Sequence, residues 1–268
     1  MGILNVSPDS FSGDGITDVA VAVAQAHSFI SQGADVLDIG GESTRPGSQP
    51  VSADEELGRV IPLIERLAGE ISVPISIDTY KSAVALRALE AGASMINDQW
   101  GLKRDRRLAE LAAERNVPII LMSNQRDKGG YDTGIKRDTA HYKDVMVEII
   151  SSLRASLELA TNLGVPRENI IIDPGIGFGK TWQQELEIIR RLDELKGLQR
   201  PILLGPSRKS FIKMVLDLPI NERVEGTAAV VAIGIANGAD MVRVHDVQPM
   251  VRVCRMSDAI IRRRQSGD

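Results

Sequence analysis

The chain has 268 residues, with 32 Lys and Arg against 36 Asp and Glu for a net charge of -4, and with 43% hydrophobic and 25% charged residues. This is the composition of a folded chain long enough to bury a core unaided, and its acidic balance excludes a broad electrostatic footprint for nucleic acid. The single cysteine, Cys254, excludes an internal disulfide and a cysteine-based zinc centre and reads as a core thiol, while no run of about 18 apolar residues marks a membrane span.

Short β-rich runs alternate with stretches of helical spacing from one end of the chain to the other. The predicted strands are 3–6, 36–39, 74–78, 95–98, 118–122, 170–173, 201–204 and 241–245. The predicted helices are 17–32, 54–69, 80–91, 105–116, 141–163, 183–196, 221–237 and 248–264, and Gly33, Gly92, Gly164 and Gly238 stand where helix-ending residues of positive φ belong. Eight strand–helix units predict an α/β fold of the (β/α)8 TIM-barrel type with long first and second βα loops. An open doubly wound sheet rarely needs so many strands. No Pro/Ser-rich linker interrupts the chain, so residues 1–268 are expected to form one domain. The segment MGILNVSPDS lacks the charged region and apolar run of a secretory signal, which points to the cytoplasm.

A barrel places its active site at the C-terminal ends of its strands and in the loops that follow. Those ends carry Asn5, Asp38, Asp78, Asn97 with Asp98, Ser123 with Asn124, Asp173, and Arg243 with His245. Polar groups there are expensive to bury without partners, at about 1–3 kcal/mol each, so their recurrence points to a binding rim. The loops 7–15 and 40–48 are rich in Gly, Ser and Thr, and Arg45 adds a cationic fork suited to a phosphate-like anion. The sixth loop, 173–181, ends in Gly-Lys-Thr but is not a nucleotide P-loop, because Pro174 stands where that motif requires its first glycine. Arg208 and Lys209 bring two adjacent cations past the seventh strand. Arg243 and His245, two residues apart, fall on one strand face and suit a dianionic or diphosphate group.

Taken together, the motifs Asn5-Val6 through Ser12, Asp38 through Gly47, Ser76-Ile77-Asp78-Thr79, Ile96-Asn97-Asp98, Asp173 through Lys180, Ser207-Arg208-Lys209-Ser210 and Arg243-Val244-His245-Asp246 resemble the dihydropteroate synthase family over nearly the whole chain. Members of that family join a pterin to p-aminobenzoate (4-aminobenzoate). The resemblance implies a pterin held by Asp78, Asn97, Asp173 and Lys209, a mixture of acceptors and donors that suits the edge of such a ring. It implies a diphosphate held by Asn5, Thr44, Arg45, Arg243 and His245, with Mg2+ on the phosphates and Asn5. A p-aminobenzoate pocket is implied at Thr44, Pro46, Phe178 and Ser207. Asp38, Asp78 and Lys209 would attend the chemistry, the two carboxylates beside a methylene carbon that turns cationic as diphosphate leaves. Small-molecule substrates, no nucleic acid, no membrane and a homodimer are expected on the same basis.

Three features depart from the family's pattern. Met122 is followed by Ser123 where Met-His is frequent, Trp182 through Glu185 stand where a His-Asn pair is frequent, and the sequence starts inside the first strand. Two rival readings share the barrel. A pterin-binding methyltransferase has no use for Ser43 through Gly47 or Ser207 through Lys209, whereas a pterin carrier or sensor without catalysis would bind and not turn over.

Overall fold

The computed structural model describes residues 1–7, 18–43, 49–126 and 143–262. Eight strand–helix units follow one another in chain order. They are β1 (Gly2–Asn5) and α1 (Val19–Ser31), β2 (Leu37–Gly40) and α2 (Ala53–Ala68), β3 (Ile75–Asp78) and α3 (Ser82–Glu90), and β4 (Met95–Asp98) and α4 (Arg107–Arg115). The second half has β5 (Ile119–Met122) and α5 (Val145–Asn162), β6 (Ile170–Asp173) and α6 (Trp182–Arg190), β7 (Leu203–Leu204) with α7 (Ser210–Leu216) and α8 (Val224–Ala236), and β8 (Met241–Val242) with α9 (Val247–Ile261). The long first and second loops fall largely on 8–17 and 44–48, outside the described residues.

Local chemistry explains the helix boundaries. Asp18, Ser52 and Asp144 accept N-terminal amide protons of α1, α2 and α5, and Thr181 with Gln184 forms a reciprocal capping box on α6. Gly33, Gly92, Gly164 and Gly238 all have positive φ, as their spacing predicts. The predicted helix 183–196 ends at Arg190 and continues as a 3-10 helix over Leu192–Leu198, the short helix α7 occupies a stretch to which the sequence assigns no element, and the predicted strands 201–204 and 241–245 shorten to Leu203–Leu204 and Met241–Val242. Phe211 and Ile212 of α7 are buried, so packing supports this short helix, which Asp217 closes in a left-handed conformation (φ 53°) two residues before Pro219.

All strand pairings are parallel. β1 through β6 form one ladder in sequence order and β7 pairs with β8. Single bridges, Ile172 to Ile202 and Gly2 to Val244, join the two ladders on either side. The β1–β2 register sets Ile3 beside Asp38, β2–β3 sets Gly40 beside Asp78, and β3–β4 sets Asp78 beside Asn97.

Side-chain alternation then sorts the strands' residues into an outer and an inner set. Leu4, Leu37, Ile39, Ile75, Ile77, Ile96, Ile119, Leu121, Ile170, Ile172, Ile202 and Leu204 belong to the large core between strands and helices. The inward set forms its own small core of Met1, Val36, Met95, Ile120, Ile171 and Leu203, with Met241 against it. Two residues past Val36, Met95, Ile171 and Met241 stand Asp38, Asn97, Asp173 and, just beyond the end of β8, Arg243, so a polar and ionic layer lies directly on an apolar one. Cys254, expected in the core, is half-buried against a satellite cluster around Val231, Ile235, Val244 and Met250.

Candidate active site at the C-terminal rim

The ionic layer is organised by Arg243. Its Nε donates to Asp38 Oδ2 at 2.5 Å and its Nη2 to Asp78 Oδ2 at 2.7 Å, and Asn97 Nδ2 donates to the same Asp38 oxygen at 3.0 Å. Among the described residues, the other oxygens, Asp38 Oδ1 and Asp78 Oδ1, and the Ser76 hydroxyl on the intervening inward position of β3 are buried and have no hydrogen-bond partner. Burial pushes the Asp78 carboxyl up to about 7 against the pull of Arg243, with Asp38 adding to the rise. The same two carboxylates keep Arg243 charged despite the desolvation that burial imposes.

Arg243 and His245 therefore have different partners, although strand parity puts them on one face. Arg243 turns inward because two buried carboxylates offer it more than a rim position would. His245 stays at the mouth, where its main-chain N–H donates to Ser207 Oγ at 3.1 Å and its Nδ1 lies 2.9 Å from the same oxygen. The Ser207 hydroxyl, expected in the p-aminobenzoate pocket, is thus engaged with His245. Asn5, His245 and the first turn of α9 line a cavity of about 630 Å³ whose opposite wall is α1.

The two cations of the seventh loop also part company. Arg208 has a left-handed backbone (φ 57°) and forms a bidentate pair with Asp246, at 2.9 Å and 2.7 Å. Lys209 instead reaches across to the sixth loop, where its Nζ donates to the Ile176 carbonyl and sits 4.5 Å from the centre of the Phe178 ring. Arg126 covers the same ring at 4.3 Å. Burial lowers the Lys209 ammonium to about 8, opposed by Asp173 and Glu185. Asp173 is buried and accepts from the Gly175 N–H at 2.6 Å; burial raises its carboxyl, with Lys209 and Lys180 opposing.

Strand parity also separates Asn97 from its neighbour. Asp98 faces away from the inner layer and accepts from the Trp100 and Leu102 amides at 2.8 Å and 2.6 Å, which makes it the closure of a turn. Burial raises its carboxyl to about 7, against those two hydrogen bonds.

Three features of the rim escape sequence reasoning. Lys81 Nζ bridges Glu42 and Glu56 at 2.5 Å each, and Tyr80 donates to Glu42 at 3.1 Å, so the start of the second loop is tied to α2. Lys180 is buried at 4% exposure, its amine lowered by burial to about 7 against Glu185 and Asp173. Glu185, one of the departures in α6, accepts the Gly177 N–H at 2.9 Å. In the sequence Lys180 stands at the end of a false P-loop and of the motif that begins at Asp173, with no role assigned to it, and the Lys81 bridge joins residues far apart in sequence. Thr44, Arg45 and Pro46 lie outside the described residues.

A parallel (β/α)8 fold whose polar side chains gather at the C-terminal strand ends defines an enzyme of the barrel class. Comparison with known proteins narrows the class. A family model described as "Pterin binding enzyme" matches residues 1–245. The chain is 50% identical over 262 residues to the dihydropteroate synthase of Bacillus subtilis, covering 97% of this chain and 88% of that one. Among solved structures it is similar to the Clostridium difficile dihydropteroate synthase determined in the presence of pteroic acid, with a TM-score of 0.89, 47% identity and coverage of 98% and 96%. It is also similar to the Xanthomonas albilineans dihydropteroate synthase with 4-aminobenzoic acid, with a TM-score of 0.86, 37% identity and coverage of 100% and 93%. The chain belongs to the pterin-binding enzyme family.

Proposed function

We propose that this chain is a transferase of folate biosynthesis, condensing 7,8-dihydropterin-6-ylmethyl diphosphate with 4-aminobenzoate to give 7,8-dihydropteroate and diphosphate. The observation that carries the reading is the pair of buried carboxylate oxygens on Asp38 and Asp78 that find no hydrogen-bond partner among the described residues, beside the Ser76 hydroxyl in the same condition. A pterin edge offers ring and amino N–H donors, and burying those acceptors without donors costs about 1–3 kcal/mol each. Asn97, Asp173 and Lys209 complete the ring's recognition with both donors and acceptors.

The diphosphate is assigned to the cavity between α1 and α9, where Asn5 and His245 meet the positive end of α9. Thr44 and Arg45 would approach from the second loop, and Arg243, held by Asp38 and Asp78, would supply a further cation. Among the described residues no group of three or more His, Cys, Asp or Glu side chains stands together to cage a metal. Mg2+ keeps most of its waters and binds through few protein oxygens plus phosphates, so the Asn5 amide oxygen fits as its protein donor. When bound, the ion supplies charge against the departing phosphate oxygens.

Asp38 and Asp78 sit where positive charge grows on the methylene carbon as its C–O bond to diphosphate breaks and the electron pair leaves with the phosphate. The arylamine lone pair then forms the new C–N bond, and the nitrogen gives up one proton. Phe178, Ser207, Thr44 and Pro46 hold 4-aminobenzoate for that attack. No protein nucleophile takes part. The whole site is carried by one domain, which acts in the cytoplasm as a homodimer. The dimer draws support from exposed apolar side chains on adjacent helices, Ile233 on α8 with Met256 and Ile260 on α9. No helix of the described residues is long and apolar enough to cross a membrane.

The decisive experiment is an assay of purified protein with the pterin diphosphate, 4-aminobenzoate and Mg2+. Dihydropteroate and diphosphate are expected in equal amounts, with sulfonamides competing against 4-aminobenzoate. Pterin binding without turnover would instead identify a carrier, and an uncompetitive sulfonamide pattern would remove the shared pocket.

A further inference from the structure

Lys180 reaches the heart of the rim and is used by none of the steps above. Its Nζ donates to the carbonyls of Ser123 at 2.8 Å, Gly175 at 2.8 Å and Phe178 at 3.3 Å. An ammonium has three N–H donors, so these acceptors use all of them and leave none for a substrate. The acceptors belong to two different βα loops, since Ser123 follows β5 while Gly175 and Phe178 bound the turn after β6.

The turn itself is closed by Phe178 N–H donating to the Gly175 carbonyl at 3.2 Å, and the Gln125 N–H of the fifth loop donates to the Phe178 carbonyl at 3.3 Å. Gly175 and Gly179 have φ of 72° and 76°, and a Cβ at either would collide with fifth-loop backbone, at Ser123 and at Gln125 respectively. The close approach of the two loops therefore needs glycine at both places. The neighbouring carbonyl of the turn, that of Ile176, accepts from Lys209, so two lysines share one turn. What this turn presents to the rim is the Phe178 ring, between Arg126 and Lys209.

We propose that Lys180 is a positioning residue for the second substrate, fixing the sixth loop against the fifth so that the Phe178 ring is set for 4-aminobenzoate. The proposal rests on the functional reading given above, which places that substrate at Phe178. Of the groups assigned to the pterin, Asp38, Asp78, Asn97 and Asp173 lie on β2, β3, β4 and β6 and are held by the strand ladder, and Lys209 alone leans on the sixth loop, so Lys180 acts on 4-aminobenzoate more than on the pterin.

The test compares wild type with Lys180→Met and Lys180→Gln. Two of the three carbonyls keep a second donor after substitution, so the methionine variant has a route to fold, and the glutamine variant, with two N–H donors, carries the same comparison if it does not. Expected is a rise of at least about tenfold in KM for 4-aminobenzoate, with kcat and the pterin dissociation constant changed by less than about threefold, and a smaller effect for glutamine. Amide hydrogen exchange should quicken at 123–126 and 175–179. A lowered melting temperature with KM unchanged would reduce Lys180 to a structural brace and overturn the proposal, as would equal losses for both substrates. Absence of turnover by wild type overturns the functional reading itself, whereas turnover with an unmoved KM in both variants overturns only the role of Lys180.

Discussion

Two layers of the barrel interior stand two residues apart on the same strands and have opposite chemistry. The lower one, Met1, Val36, Met95, Ile120, Ile171 and Leu203, is wholly apolar; the upper one holds Asp38, Asn97, Asp173 and Arg243. The strands that fix one layer fix the other, so rigidity gained by burying aliphatic groups below is passed to charged groups above at no extra conformational cost. Burial is less well compensated in the upper layer, where Asp38 and the neighbouring Asp78 each keep an oxygen without a partner among the described residues. Stability is thus concentrated in one layer and ligand recognition in the next.

That division can be broken by substitution. Asp173→Asn and Lys209→Ala, in and above the upper layer, are expected to lower kcat/KM by about 10³-fold or more and to abolish pterin binding, with the melting temperature little changed. Ligand titration with the pterin alone checks this, and retained affinity in either variant would remove the assigned roles. Ile120→Ala, in the lower layer, should cost about 2–5 kcal/mol of unfolding free energy through the cavity it leaves while kcat/KM at low temperature stays within about twofold. Denaturant unfolding and steady-state assays on one sample decide whether the layers are separable.

A pH profile sharpens the comparison. Asp78, raised to about 7, is a full acceptor only above that value, and Lys209, lowered to about 8, is a full donor only below its own. The profile of kcat/KM for the pterin diphosphate should therefore be bell-shaped, rising through about pH 7 and falling above about pH 8. For stability the sign is opposite on the acid side. Asp78 and Asp98 retain protons in the folded state that the unfolded chain has released, so their contribution falls as pH rises from about 4 to about 7. The smallest effect is expected for Ser207→Ala, which frees the His245 ring from its hydrogen bond and should weaken diphosphate binding by about three- to tenfold. A larger change in KM for 4-aminobenzoate than in diphosphate affinity would return Ser207 chiefly to the second substrate's pocket.

The sequence by itself determined the alternation of eight strands and their helices, the glycine helix ends, and the polar residues at the strand termini. These follow from local rules: the period of apolar residues, the backbone freedom of glycine, and the two-residue repeat that puts Asp38 above Val36 and Asp173 above Ile171. Which polar neighbours act together depends on the folded arrangement. It turned Arg243 onto Asp38 and Asp78 while His245 went to Ser207, separated Arg208 from Lys209, made Asp98 the closure of a turn beside the site residue Asn97, and brought Lys180 to carbonyls of two loops. The physical reason is that charge pairing in a buried layer depends on distances across the barrel, between residues up to 205 positions apart, and no local pattern encodes a distance.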